Sequence, residues 1–265
     1  MNYQKFSENI HILTNNLDRK KTEVEIIWTA GGSFFEQESD RGRKHLMEHC
    51  IASRTKDMDF KAFQDFQFRE SLMLNAYTGP LTMGMEASGH SQDFEKLLDI
   101  ALETAFTPTF DQTILDQEKE IVLREISERR GDPNYRLHFE VMNQIFTKES
   151  YEVHQTLGDS QTVAIGQLED FTRLHLENLK TSPVLICCYG GGVKTDLIQT
   201  KLQKILDQKN LQINNLLETK NKKPINYSIS SQFQDFQKKA IISELAHKHC
   251  EINLYIPFKT TFENR

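Results

Sequence analysis

Cysteine is scarce in this sequence, with four in 265 residues: Cys50, Cys187, Cys188 and Cys250. They give no disulfide framework. Cys187 and Cys188 are adjacent, so on a strand they point to opposite faces and read as small buried hydrophobes in a reducing compartment. A cytoplasmic location is the expectation that follows. Long apolar runs are also missing. The longest, such as Val184 to Tyr189, are far too short to cross a bilayer, so no membrane partner is expected. Met1 to Lys5 leads into mixed polar sequence with no basic-then-apolar leader. Positive charge is in deficit, with a formal net charge of −6 and no Lys/Arg-rich stripe interleaved with aromatics, which argues against a nucleic-acid partner. What remains is a globular composition, 38% hydrophobic and 26% charged, sized for one large domain or one domain plus part of another.

Against this background one pentapeptide stands out. His45-Leu46-Met47-Glu48-His49 reads H-x-x-E-H. On an α-helix the two imidazoles lie on one face, one turn apart, and can grip a single Zn2+ at about 2.0–2.1 Å. Glu48 shares that side of the helix and can reach a water on the metal. This is the inverse of the commoner H-E-x-x-H order and belongs to a distinct set of zinc hydrolases. The competing reading is an amphipathic helix with polar residues in solvent.

The surrounding pattern is that of an α+β domain. Extended segments are expected at His11–Thr14 and Val24–Trp28, and Asp40 is a plausible N-cap for a motif helix running to about Ser53. A helix over about Asp59–Phe68 precedes a hairpin, Leu72–Thr78 and Leu81–Ala87, turned at Gly79-Pro80. Helices are expected over Ser91–Phe106, Asp111–Arg130, Asn134–Phe146, Val163–Glu177 and Thr195–Asp207, with a buried strand at Pro183–Tyr189. From Gln208 the composition turns rich in Asn, Lys and Gln, as in a linker. Beyond it Ala240–Ile242 and Ile252–Ile256 look like strands. The expected organisation is a domain over 1–206, a linker over 207–235, and at 236–265 the beginning of an incomplete second domain.

Two histidines do not close a catalytic zinc site, which takes three protein ligands and a water. The Asp111–Arg130 helix offers Glu118 and Glu125, two turns apart on one face, with Ile121 and Val122 between them suggesting that this face is turned inward. Buried carboxylates are costly unless paired or metal-bound. Glu120 and Glu128 point elsewhere and read as solvated charges. His247, His249 and Cys250 have no further ligands in sight and read as surface. His11, His90, His138, His154 and His175 have no ligand spacing and read as structural or exposed.

His45-x-x-Glu48-His49 followed by Glu118-x6-Glu125 resembles the pitrilysin/insulysin family of zinc peptidases, which includes the mitochondrial processing peptidases. The gap from His49 to Glu125, 125 − 49 = 76 positions, agrees with that family. So do Gly32-Ser33-x-x-Glu36 before the helix, Asn75-Ala76-x-Thr78 after it, and the text around Glu125, and the resemblance extends over roughly residues 1–206. It implies a mixed, mainly antiparallel sheet covered by helices. It implies one zinc ion held by His45, His49 and Glu125, with Glu48 as general base toward a zinc-activated water and Glu118 completing the catalytic set by orienting a ligand histidine. It implies a substrate peptide paired along the strand at Asn75 and Ala76.

The function implied is a zinc-dependent endopeptidase acting on peptides or unfolded segments; the alternative is a non-catalytic or partner-dependent subunit of a processing-peptidase-like complex. The other H-x-x-E-H type, an S-ribosylhomocysteine lyase, is shorter and takes a cysteine as third ligand. Relatives are built from homologous halves enclosing a chamber, so a second homologous subunit or C-terminal half is the expected partner. Cys50 stands where relatives commonly carry an apolar residue, and is expected to pack away from the metal face.

Overall fold

The computed structural model describes residues 1–147, 150 and 153–208. The expected linker and second domain, with the strands at 240–242 and 252–256 and the His247/His249 pair, lie outside the described residues. Six strands form one sheet: β1 (Asn2–Lys5), β2 (Ile10–Asn16), β3 (Lys21–Trp28), β4 (Met73–Thr78), β5 (Met83–His90) and β6 (Val184–Gly190). Their spatial order is β1-β2-β6-β3-β5-β4. Only β2 and β6 run parallel; every other pairing is antiparallel. The expected mixed, mainly antiparallel sheet is what forms.

Alternation along the strands creates one dry face. Ile10, Ile12, Val24, Ile26, Trp28, Met83, Met85, Val184 and Ile186 are all buried on it, while Glu23, Glu25 and Glu86 point to the other side. Helices cover the dry face: α1 (Arg43–Ile51), α2 (Phe60–Glu70), α3 (Phe94–Phe106), α4 (Gln112–Gly131), α5 (Pro133–Ile145), α6 (Ser160–Ala164), α7 (Leu168–Thr181) and α8 (Thr195–Gln208). Among these, α1 lies against β4 and α4, and α3 against β3 and β5. No helix among the described residues is long and apolar enough to cross a membrane.

Four of the eight described helices start on an acidic cap. Asp59, Asp111, Asp132 and Asp159 each accept hydrogen bonds from amides in the first turn. The expected Val163–Glu177 helix is two helices. Gly166 closes α6, and a reciprocal capping box between Gln167 and Asp170 starts α7 afresh. Asp40 does not cap α1; it pairs with Arg43 at 3.0 Å and Arg173 at 2.7 Å. Ile121, expected to face inward with Val122, is 38% exposed, whereas Val122 is fully buried. β1 escapes sequence notice because its alternation is polar on both sides.

The start of α1 depends on two glycines. Gly42 (φ +87°) and Gly158 (φ +72°) are both left-handed, and a Cβ on Gly158 would stand 2.2 Å from the Gly42 Cα. Their contact draws the 154–157 segment up against the beginning of the motif helix.

Candidate metal centre

The sequence requires α1 to begin near residue 42, and Glu36 makes that possible. Its carboxylate accepts hydrogen bonds from the amides of Gly42 (2.9 Å) and Lys44 (2.6 Å), two of the orphan donors at the helix start. Lys44 is buried beside it and donates to the carbonyls of Gly31 and Gly32. Burial pushes the Glu36 carboxyl up to about 7 and draws the Lys44 ammonium down to about 8.

So anchored, α1 presents His45 and His49 from successive turns, their rings 4.9 Å apart and nearly perpendicular. From α4, packed alongside, Glu125 places Oε2 at 3.8 Å from His45 Nε2 and 3.9 Å from His49 Nε2. The three potential ligand atoms all lie within 4.8 Å of one another. Tetrahedral zinc with bonds near 2 Å separates its ligand atoms by about 3.3–3.4 Å, so both contacts of Glu125 are within about half an ångström of that spacing. Two imidazoles, one carboxylate and an open side make a donor set suited to a catalytic zinc ion.

Glu118 lies behind the trio rather than in it. Its Oε2 is 2.8 Å from His49 Nδ1, so that nitrogen carries the proton and Nε2 is left with its lone pair toward the cluster. Burial alone would lower the His49 pKa, but the Glu118 hydrogen bond and charge, with Glu48 and Glu125, raise it above the ordinary value. His45 is treated differently. Its Nδ1 is buried with no hydrogen-bond partner among the described residues, and burial, then the neighbouring His49, take its pKa down to about 4. It is therefore neutral, as a metal ligand must be.

In front of the trio opens a cleft of about 430 Å3. It is lined by His45 and Glu48 of α1, Glu125 and Arg129 of α4, Tyr77 and Thr78 of β4 with Pro80, Tyr135, His138 and Phe139 of α5, and His154, Thr156 and Leu157. Burial raises the Glu48 carboxyl above its ordinary value; hydrogen bonds from the Thr78 side chain and main chain and the proximity of His49 oppose this, while Glu125 adds to it. Cys50 is buried, its thiol pushed up by burial, and does not line the cleft.

Asn75 and Ala76 are placed differently from the trio. Asn75 lines a separate groove on the sheet's open face with Met73 and Glu86, and the Ala76 side chain is buried. What Ala76 offers is its main chain. β4 is an edge strand, and the Leu74 amide points outward to Gln67 Oε1 at 2.9 Å. Alternation puts the main-chain groups of Ala76 and Thr78 on the same outward side. Thr78 is engaged with Glu48, and no hydrogen bond to Ala76 from that side exists among the described residues. Thr78 and Glu36 were visible in the sequence only as text flanking the motif. Tyr135, Phe139 and the two cleft histidines, His138 and His154, carried no motif signal.

The sequence model of the insulinase family (peptidase family M16) matches residues 12–157. The chain is 22% identical over 198 residues to a probable mitochondrial-processing peptidase subunit beta of Arabidopsis thaliana, covering 74% of this chain and 36% of that protein. It is 22% identical over 192 residues to an uncharacterized zinc protease of Bacillus subtilis, covering 71% of this chain and 45% of that one. Its fold matches a protease from Helicobacter pylori with a TM-score of 0.69 at 17% identity, covering 87% of this chain and 54% of that chain. The chain thus spans about a third to a half of the length of these relatives.

Proposed function

Since this chain belongs to the insulinase family of peptidases, we propose that it is the zinc-bearing half of an endopeptidase that hydrolyses peptides or unfolded protein segments. The observation that carries this is the convergence of His45, His49 and Glu125 beside a cleft that His45, Glu48 and Glu125 line. His45 and His49 would hold one zinc ion through Nε2 and Glu125 through its carboxylate. When bound, zinc supplies Lewis acidity, polarising a carbonyl and making a water acidic enough to attack near neutral pH.

The chain's own residues do the rest. Glu118 fixes the tautomer and orientation of His49. Glu48 takes the proton of the attacking water and passes it to the leaving amine; its raised pKa brings it nearer the working pH than an ordinary carboxylate. Thr78, beside Glu48, favours its charged form and so limits that rise. An extended peptide pairs with the outward main chain of Ala76 on β4, which favours extended segments over any one sequence. A second homologous domain, on the same or a partner chain, closes the chamber. That a relative is named as a subunit of a processing peptidase supports this part of the reading.

The test is Glu48→Gln in the zinc-loaded protein supplied with its second domain. Zinc content by elemental analysis stays at one per chain, while cleavage of a quenched peptide falls by about 10²–10⁴ or more. Glu125→Ala loses the zinc as well. Native-rate hydrolysis by Glu48→Gln would sink the mechanism.

A further inference from the structure

β4 is the sheet edge that borders the cleft, through Tyr77 and Thr78. On its outward side the main-chain groups of Leu74, Ala76 and Thr78 form a row, the groups that an added strand would engage. These positions are not equally open. Thr78 lies beside Glu48, and its hydroxyl reaches the carbonyl of Lys44 at 3.5 Å. Ala76 has no hydrogen bond on that side among the described residues. At Leu74 the place of a neighbouring strand is already taken. The Gln67 side chain accepts a hydrogen bond from the Leu74 amide through Oε1 at 2.9 Å.

Gln67 sits in the last turn of α2, and its main chain is fastened independently of its side chain. Its carbonyl accepts from the Leu72 amide at 2.9 Å, where the helix ends on Ser71 in the left-handed region (φ 50°). The join between α2 and β4 therefore does not need the side chain. What the side chain does is different. A carboxamide is a peptide group on a tether, and with Oε1 on Leu74 it stands where the carbonyl of an added strand would stand. Leu74 and Ala76 are two residues apart, about 6.6–6.8 Å, which is the spacing of successive outward positions on a strand. Gln67 thus fills the position next to the open one.

We propose that Gln67 sets how long a stretch of peptide backbone β4 can hold: by closing the Leu74 position it confines pairing on that side to the residue opposite Ala76. The proposal rests on the peptidase reading and deepens it. A substrate then needs to be extended over only a few residues at Ala76, and backbone beyond them adds nothing to affinity. Gln67 is a positioning residue in this role, because it touches β4 and not the reacting atoms.

The experiment uses the zinc-loaded protein with its second domain and a quenched peptide methylated at one backbone nitrogen at a time. In the native protein one position is sensitive, methylation there raising KM about two- to tenfold. Gln67→Met keeps the reach of the side chain and removes the acceptor; Gln67→Ala removes both. In each variant a second sensitive position is expected two residues from the first, and KM of the unmethylated peptide falls about two- to tenfold. Gln67→Glu keeps an acceptor on the Leu74 amide and retains the single position. Anisotropy of the same peptides, labelled, gives Kd without turnover when Glu48→Gln is added to each protein. Two sensitive positions in the native protein, or none, overturn the role of Gln67 and leave the peptidase reading standing. So does a single position that persists in Gln67→Met and Gln67→Ala while only Tm falls, since Gln67 then merely fastens α2. A second position gained in binding, with no cleavage by the native protein, overturns the peptidase reading and leaves Gln67 in its role. Neither binding nor cleavage overturns both.

Discussion

Glu118 and His49 meet across two helices, carboxylate oxygen to ring nitrogen at 2.8 Å, and this one contact decides which face of the imidazole is free. The corresponding nitrogen of His45 has no such brace. Support for the two histidines is therefore unequal, and loss of Glu118 should be felt mainly at His49. Glu118→Gln is expected to weaken zinc binding by about 10- to 100-fold, read by competition with a chromophoric chelator. Unchanged affinity would mean that the contact does not orient a ligand.

Pairing of a peptide at Ala76 makes a prediction about the substrate rather than the protein. A set of peptides, each carrying one backbone N-methyl group, should contain a position near the cleaved bond where methylation raises KM about two- to tenfold, with adjacent positions insensitive. Uniform effects along the peptide would exclude strand addition at this edge.

His175 is wholly buried, donating from Nε2 to the carbonyl of Ala105 at 2.8 Å. Burial takes its pKa from 6.5 to about 4, only partly offset by that hydrogen bond. A depressed pKa means that the unfolded chain binds the proton more readily. The contribution of a neutral His175 is thus complete above about pH 6.5 and is lost as pH falls toward 4, amounting to roughly 3 kcal/mol. Urea unfolding of metal-free protein at pH 7 and pH 4 should show His175→Gln losing less stability on acidification than the native chain. Equal losses would remove His175 from the account of acid sensitivity. Metal-free His45, shifted in the same direction, contributes equally to both proteins.

Gly158→Ala should disturb the cleft from a distance. The new Cβ would meet Gly42 at 2.2 Å in a backbone conformation already unfavourable for alanine, costing about 1–3 kcal/mol. Because His154, Thr156 and Leu157 line the cleft, kcat/KM should fall together with Tm. A variant with lowered Tm and native kcat/KM would separate the glycine contact from the site.

The site was legible in the sequence where chemistry demands fixed residue types at fixed spacing. His45, Glu48 and His49 share a helix and Glu118 and Glu125 share another, so helical periodicity alone places each set. The sequence pattern also marked most helices, because acidic caps and Gly or Pro stops are local signals. Tertiary choices were not legible. Asp40 is a good cap by type, yet the folded chain turns it to Arg43 and Arg173 and caps α1 with Glu36 from four residues further back. Ile121 looked interior from its neighbours, but it and Val122 flank the Glu118–Glu125 line on opposite sides, and burial reaches the Val122 side while Ile121 is 38% exposed. The aromatic wall left no trace because Tyr135 and Phe139 at helical spacing read like core.

That wall hangs on the satellite cluster of Leu137, Val141, Met142 and Ile145, whereas His45, His49 and Glu125 stand on helices packed into the main core. The metal trio and the aromatic wall are consequently held in place by different sets of side chains. Substitutions along α5 can therefore reshape one side of the cleft while the spacing of His45, His49 and Glu125 is left as it is.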